Sequence, residues 1–346
     1  MSRMLQEIRE QPETLARTLA SQLPKIEKFK SLINRGKPRL VVLAARGTSD
    51  NAAQFGRYLI EITTGIPVSL AAPSVHTVYG ARMNYKEALV VALSQSGESA
   101  DTNQVLEQAR KAGAVTVGIT NESRSSLASI AEHVFLVRAG REKSVAATKT
   151  YTGQLMLLYL LAYALGAKLR IADLEGIADF AASALTLETE VAVLAERYRF
   201  IHHAVVVGRG LNYANSLEFA LKMKETSYVI AEGFSSADFL HGPIAMVEPS
   251  FPAFLFTPSG AAWPSMQEML MRLQGLKAET VAITDRCNPA AANLASRVIS
   301  IPARIPEIYS PIPYIIPAQL FAAALAREKN LDPDRPRTLS KVTQNL

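Results

Sequence analysis

The chain has 346 residues, 49% of them apolar, and a single cysteine, Cys287, so it can bury a core of about two domains while a disulfide framework and a cysteine-built zinc site are excluded. Its net charge of +6 comes from scattered basic residues, with no lysine run and no interleaved aromatics. That argues against nucleic acid as a partner and suits a mildly basic enzyme with an anionic small substrate.

In chain order, residues 1–34 open with MSRMLQEIREQPETL, which is charged and helical in character, not a signal peptide, and reads as one helix plus a connection. A first domain is expected over 35–168, with apolar strands near 39–44, 67–71, 88–93, 115–119 and 133–137 and helical patterns between them. LMLLYLLAYALG (155–166) is too short to span a bilayer and fits a buried helix. A cytoplasmic protein with no membrane partner is the expectation. Residues 169–200 read as a helical connection, and a second domain over 201–330 has strands near 204–208, 229–231, 252–256, 280–283 and 297–301. A tail over 331–346 ends the chain. Strand alternating with helix implies a doubly wound, parallel α/β sheet, here twice over.

The two domains resemble each other. LVVLAARGTSDNAAQFGRYLIE (40–61) aligns with HAVVVGRGLNYANSLEFALKMKE (203–225). Gly47 against Gly210 and Ser96-Gly97 against Ser259-Gly260 share an offset of 163 residues, and VTVGIT (115–120) matches TVAIT (280–284) at 164. An offset so nearly constant reads as an internal duplication.

Ligands of such sheets bind at the carboxyl ends of the strands. There ALVVAL (88–93) stops at Ser94-Gln95-Ser96-Gly97-Glu98-Ser99, and a helix pattern starts near Ala100. Helix N-terminal amides lack intrahelical partners and face an anion favourably, while serine hydroxyls add donors. Without a lysine the loop is no nucleotide P-loop. It suits a phosphate, or a serine-rich turn that caps its own helix. The second half has TPSGAA (257–262) instead, whose alanine side chains cannot donate, so one anion site per chain is expected.

SQSGESADT, ARGTSDNA (45–52) and GREKSVAATKT (140–150) together resemble the sugar isomerase (SIS) domains that bind phosphosugars. LEFALKMKETSY (217–228), FLHGPIA (239–245) and RPRTLSK (335–341) follow in the order found in the isomerase half of glucosamine-6-phosphate synthase. The resemblance implies tandem flavodoxin-like SIS domains. A stand-alone member without the synthase's N-terminal glutaminase domain is the expectation, and ARGTSDNAA, APSVHTVYG and SVAATKTY read most like stand-alone glucosamine-6-phosphate deaminases.

The chemistry implied is proton transfer between C1 and C2 through an enediol-like intermediate, which needs a carboxylate, a ring-opening acid–base group and cations. Glu225 shares a helical face with Glu218 and Lys222. Spacing alone favours a solvated Glu218–Lys222 pair, but the resemblance makes Glu225 the base, with Lys222 beside it. It makes His241, otherwise an ordinary loop histidine, the ring-opening group contributed from a neighbouring copy, which implies a homodimer. It makes Lys341, otherwise a terminal solvated charge, the lysine that closes over the sugar. For the phosphate it implies Ser94, Gln95, Ser96 and Ser99 beside Gly47, Thr48 and Ser49. Glu142, Val145 and Ala147 join the substrate-binding set, with Ala147 standing where the synthase has serine. Arg46 replaces the cysteine of the synthase's CGTS turn and receives no role.

The activity expected is glucosamine 6-phosphate plus water to fructose 6-phosphate plus ammonia. A fructosamine-6-phosphate deglycase and a non-catalytic sugar-phosphate-binding regulator are the alternatives. No histidine pair has metal-ligand spacing, so no metal is expected, and the chemistry calls for no cofactor.

Overall fold

Unbroken apolar runs make buried parallel strands, and here they make two sheets of five. The computed structural model describes residues 2–341; residues 342–346, the end of the expected tail, lie outside the described residues. The chain divides into two compact units. One comprises 13–142, 149–175 and the tail from Leu339; the other comprises the N-terminal residues through Pro12, 143–148 and 176–338.

The sheet of the first of these units holds β1 (Leu40–Ala44), β2 (Val68–Leu70), β3 (Ala88–Leu93), β4 (Val115–Thr120) and β5 (His133–Leu136), all parallel, in the order β2-β1-β3-β4-β5. All six residues of β3 are buried. β1 and β3 pair from Leu40↔Ala88 to Ala44↔Ala92. The strand order reverses between them, and this is where a doubly wound sheet opens its ligand crevice. The Arg46-Gly47 turn and the Ser94–Ser99 loop leave the sheet there. Helix Thr48–Thr64 packs on helix Lys149–Ala164, with Phe55 edge-on to Tyr159 at 5.1 Å. A Cβ on Gly56 would come within 2.8 Å of the Leu158 side chain, which would have to shift to admit it. Helix Lys149–Ala164 is buried on nearly all sides, which accounts for its lack of a polar face.

The other unit repeats the topology. β6 (His203–Gly208), β7 (Ile230–Ser235), β8 (Pro252–Phe256), β9 (Glu279–Asp285) and β10 (Arg297–Ile301) run parallel in the order β7-β6-β8-β9-β10. Strand β7 is longer than the expected 229–231. It lies at the sheet's edge, so its polar Glu232, Gly233 and Ser235 conceal it in the sequence. Gly233 lets helix Tyr213–Ser227 lie against it, for a Cβ there would meet the Ser216 carbonyl at 2.7 Å. Phe219, Phe254, Phe321 and Tyr198 form an edge-on aromatic core behind that helix.

At the N-terminus two helices, Arg3–Arg9 and Gln11–Ile33, replace the single one expected. Pro12 has no amide to give the Ile8 carbonyl, and the Gln11 side chain takes that acceptor at 3.0 Å. The stretch 169–200 forms three short helices. Among the described residues no helix is long and apolar enough to cross a membrane.

Candidate active site

The Ser94–Ser99 loop is a tight turn that partly caps itself. Gly97, at φ +70, accepts from the Leu127 amide and the Asn103 side chain, both at 3.0 Å. A Cβ on it would fall 2.1 Å from the Ser125 Oγ, so glycine is required by both conformation and space. Ser94 Oγ accepts from the Gly97 amide at 3.0 Å, Ser96 Oγ from the Glu98 amide at 3.3 Å, and Ser99 Oγ pairs with Thr102. Both hydroxyls act as acceptors in these bonds. The Gln95 carbonyl is tied to Asn121 and Thr120 of the next strand's end. Helix Ala100–Lys111 starts at Ser99 with no side-chain cap on its first amides. The serines therefore cap amides within the turn itself and not those of the helix it leads into.

The neighbouring turn is built likewise. Gly47, at φ +58, begins helix Thr48–Thr64 and accepts from the Asp50 and Asn51 amides. Ser49 is buried and its Oγ accepts from Gln154 at 2.9 Å. Arg46 reaches across to the helix after the loop, with Nη2 2.6 Å and Nε 3.1 Å from Asp101.

In the same unit Glu142 is fully buried at its side chain and accepts from the Thr150 amide (3.2 Å), the Thr150 hydroxyl (2.7 Å) and Lys341 Nζ (2.7 Å). The terminal lysine is thus held in an ion pair with a carboxylate that also caps helix Lys149–Ala164. The sequence placed Glu142 among substrate residues and gave no sign of this bond.

In the other unit, helix Tyr213–Ser227 carries a charged stack. Lys222 is completely buried, 3.3 Å from Glu218 and 2.5 Å from Glu225. The Glu218 side chain is completely buried and that of Glu225 is 20% exposed. Burial alone would lower the Lys222 ammonium, but the attraction of the two carboxylates outweighs it and holds the group above its ordinary value. The solvated pair that spacing also allowed is not what forms. Glu225 is left as a carboxylate with one oxygen pinned by a fixed cation and part of its surface open.

His241 ends the short helix Ser236–Leu240 and is exposed. Val145 and Ala147 are half-buried, on a segment held by Glu7, whose carboxylate accepts the Lys143 amide at 2.5 Å and the Ser144 amide at 3.2 Å. The start of the tail is tied down: the Arg337 amide donates to the Tyr228 hydroxyl at 2.8 Å and its guanidinium lies 4.5 Å over that ring. Tyr228 is the left-handed cap of the Glu225 helix. Glu7 and Tyr228 were not singled out from the sequence, because each partner lies more than a hundred residues away. Among the described residues no group of three or more His, Cys, Asp or Glu side chains could hold a metal ion.

A family model described as SIS domain matches residues 36–164 and 199–328. The chain is 34% identical, over 98% of its length, to the glutamine–fructose-6-phosphate aminotransferase (isomerizing) of Gloeobacter violaceus. It spans about 58% of that relative. The C-terminal domain of glucosamine-fructose-6-phosphate aminotransferase from Francisella tularensis superposes with a TM-score of 0.90 at 30% identity, covering 97% of this chain and 98% of that one. A glucosamine-6-phosphate deaminase from Thermotoga maritima shares the fold with a TM-score of 0.81 at 21% identity, covering 99% and 100%.

Proposed function

The chain belongs to the SIS-domain family, and from that premise we propose that it is a phosphosugar aldose–ketose isomerase that releases ammonia, turning glucosamine 6-phosphate and water into fructose 6-phosphate and ammonia. The observation that carries this reading is Glu225, a partly open carboxylate pinned at 2.5 Å by a wholly buried lysine. A general base needs a fixed position and access to a C–H proton.

The phosphate is held by the Ser94, Ser96 and Ser99 hydroxyls, Gln95 and the first amides of helix Ala100–Lys111, with the Gly47-Thr48-Ser49 turn beside them. Val145 and Ala147 border the sugar. His241, exposed in the single chain, acts in the site of a second copy and opens the ring, which makes the working form a homodimer. Glu225 takes the proton from C2 of the open-chain aldehyde, which gives the C1–C2 enaminol, and returns it to C1, which leaves an imine at C2; water adds to that imine, and the carbinolamine expels ammonia to give the ketone. Lys222 supplies positive charge for the enolate oxygen.

The test is a coupled assay for ammonia and fructose 6-phosphate from glucosamine 6-phosphate, run beside a 6-phosphorylated fructosamine. Release of both products from the first substrate is expected. Turnover of the fructosamine alone would make the enzyme a deglycase, and turnover of neither with retained sugar-phosphate binding would make it a sensor. Glu225→Gln should abolish turnover and leave sugar-phosphate binding nearly intact; an active variant removes Glu225 from the base role.

A further inference from the structure

The duplication places a second loop, Thr257–Ala262, where the first half has Ser94–Ser99, again between a strand and a long helix, here β8 and Trp263–Gly275. Ala262 precedes that helix and offers its first amides no side-chain cap. We infer that Glu307 is a built-in anion: its carboxylate occupies the amides of this duplicate loop and keeps the second half from taking a phosphate.

The geometry is specific. The Ala262 amide donates to both Glu307 oxygens, at 3.2 and 3.4 Å, and the Ala261 amide donates to the same carboxylate. By the shared offset these two residues correspond to Glu98 and Ser99 of the first loop. Gly260, the counterpart of Gly97, also has positive φ, at +125. A Cβ there would fall 2.3 Å from a Glu307 oxygen, so the glycine leaves the space that the carboxylate fills. In the first half the corresponding space is taken by the Ser125 hydroxyl, which carries no charge.

Glu307 is not a loosely hanging side chain. Its own carbonyl accepts from the Ser310 amide at 3.1 Å and the Ser310 hydroxyl at 2.7 Å. Asn212, in the turn after β6, donates to that hydroxyl at 2.8 Å. The segment that precedes helix Pro311–Glu328 is therefore bonded to the turns that follow both β6 and β8. Burial pushes the Glu307 carboxyl up, and the two amides pull it back.

The test is a calorimetric titration with inorganic phosphate of the wild-type chain and of Glu307→Ala, with amide resonances followed by NMR. One more phosphate per chain is expected in the variant than in the wild type, and it should shift the Ala262 amide. A folded variant with an unchanged count overturns the inference. If Glu307→Ala does not fold, Ser96→Ala/Ser99→Ala reads the second loop with its carboxylate in place. No shift of the Ala262 amide by phosphate is then expected, and a saturable shift overturns the inference. The prediction is an increment, so it stands or falls apart from the phosphate role given to the first loop.

Discussion

Lys222 is the residue on which the charged stack depends. Replacing it with methionine leaves the wholly buried Glu218 without its cation, and an uncompensated buried charge costs about 3–5 kcal/mol. Denaturant unfolding of Lys222→Met should show a loss of that size. The pH dependence follows from the direction of its shift. The folded chain holds the Lys222 proton more tightly than the unfolded chain, whose lysine titrates near 10.5. The stabilisation is therefore complete below that pH and fades only as the pH climbs through the still higher folded value. Thermal melts between about pH 6 and 9 should show no change from this source. For catalysis, the turnover lost in Glu225→Gln should amount to at least the roughly 10²–10⁴-fold that a general base contributes. The sequence showed three charged residues on one helical face but not their depth. A Glu–Lys pair four residues apart is equally at home in water, and nothing in the spacing says that this one is wholly buried.

At the scale of elements, the two turns at the ends of β1 and β3 were legible because each has a short-range signature: an apolar run, a glycine needing positive φ, and hydroxyls before a helix. Gly97→Ala tests that logic. Its Cβ would collide with Ser125 at 2.1 Å in a left-handed conformation, so a loss of about 1–3 kcal/mol is expected. Phosphosugar binding should weaken in the same variant, and thermal melts with and without ligand read both effects. What the sequence hid were bonds that close long loops. Glu142 holds Lys341 across 199 residues, and no local pattern announces such a partner. The understated length of β7 has a related cause, since an edge strand with only Ala231 and Ser235 buried lacks the apolar run that marks a central one.

Across the whole molecule the duplication was the most legible feature, since a constant offset survives even where side chains diverge, and the equal strand orders of the two sheets carry it through. The net charge of +6 acts at this scale as well. It draws a dianionic sugar phosphate from beyond contact range, and salt screens that attraction over about 10 Å at 0.1 M. Steady-state kinetics should show kcat/KM falling a few-fold from ~20 to ~200 mM sodium chloride, with kcat little changed.

The family match begins at residue 36, so the preceding helices look dispensable. Glu7 says otherwise. Its one carboxylate grips two consecutive amides, those of Lys143 and Ser144, at the root of the strip bearing Val145 and Ala147. A chain trimmed to start at residue 36 would retain every side chain assigned to chemistry, yet cast that strip adrift. Its KM should climb far more than its kcat drops, and Glu7→Ala in the full chain should reproduce the defect in miniature.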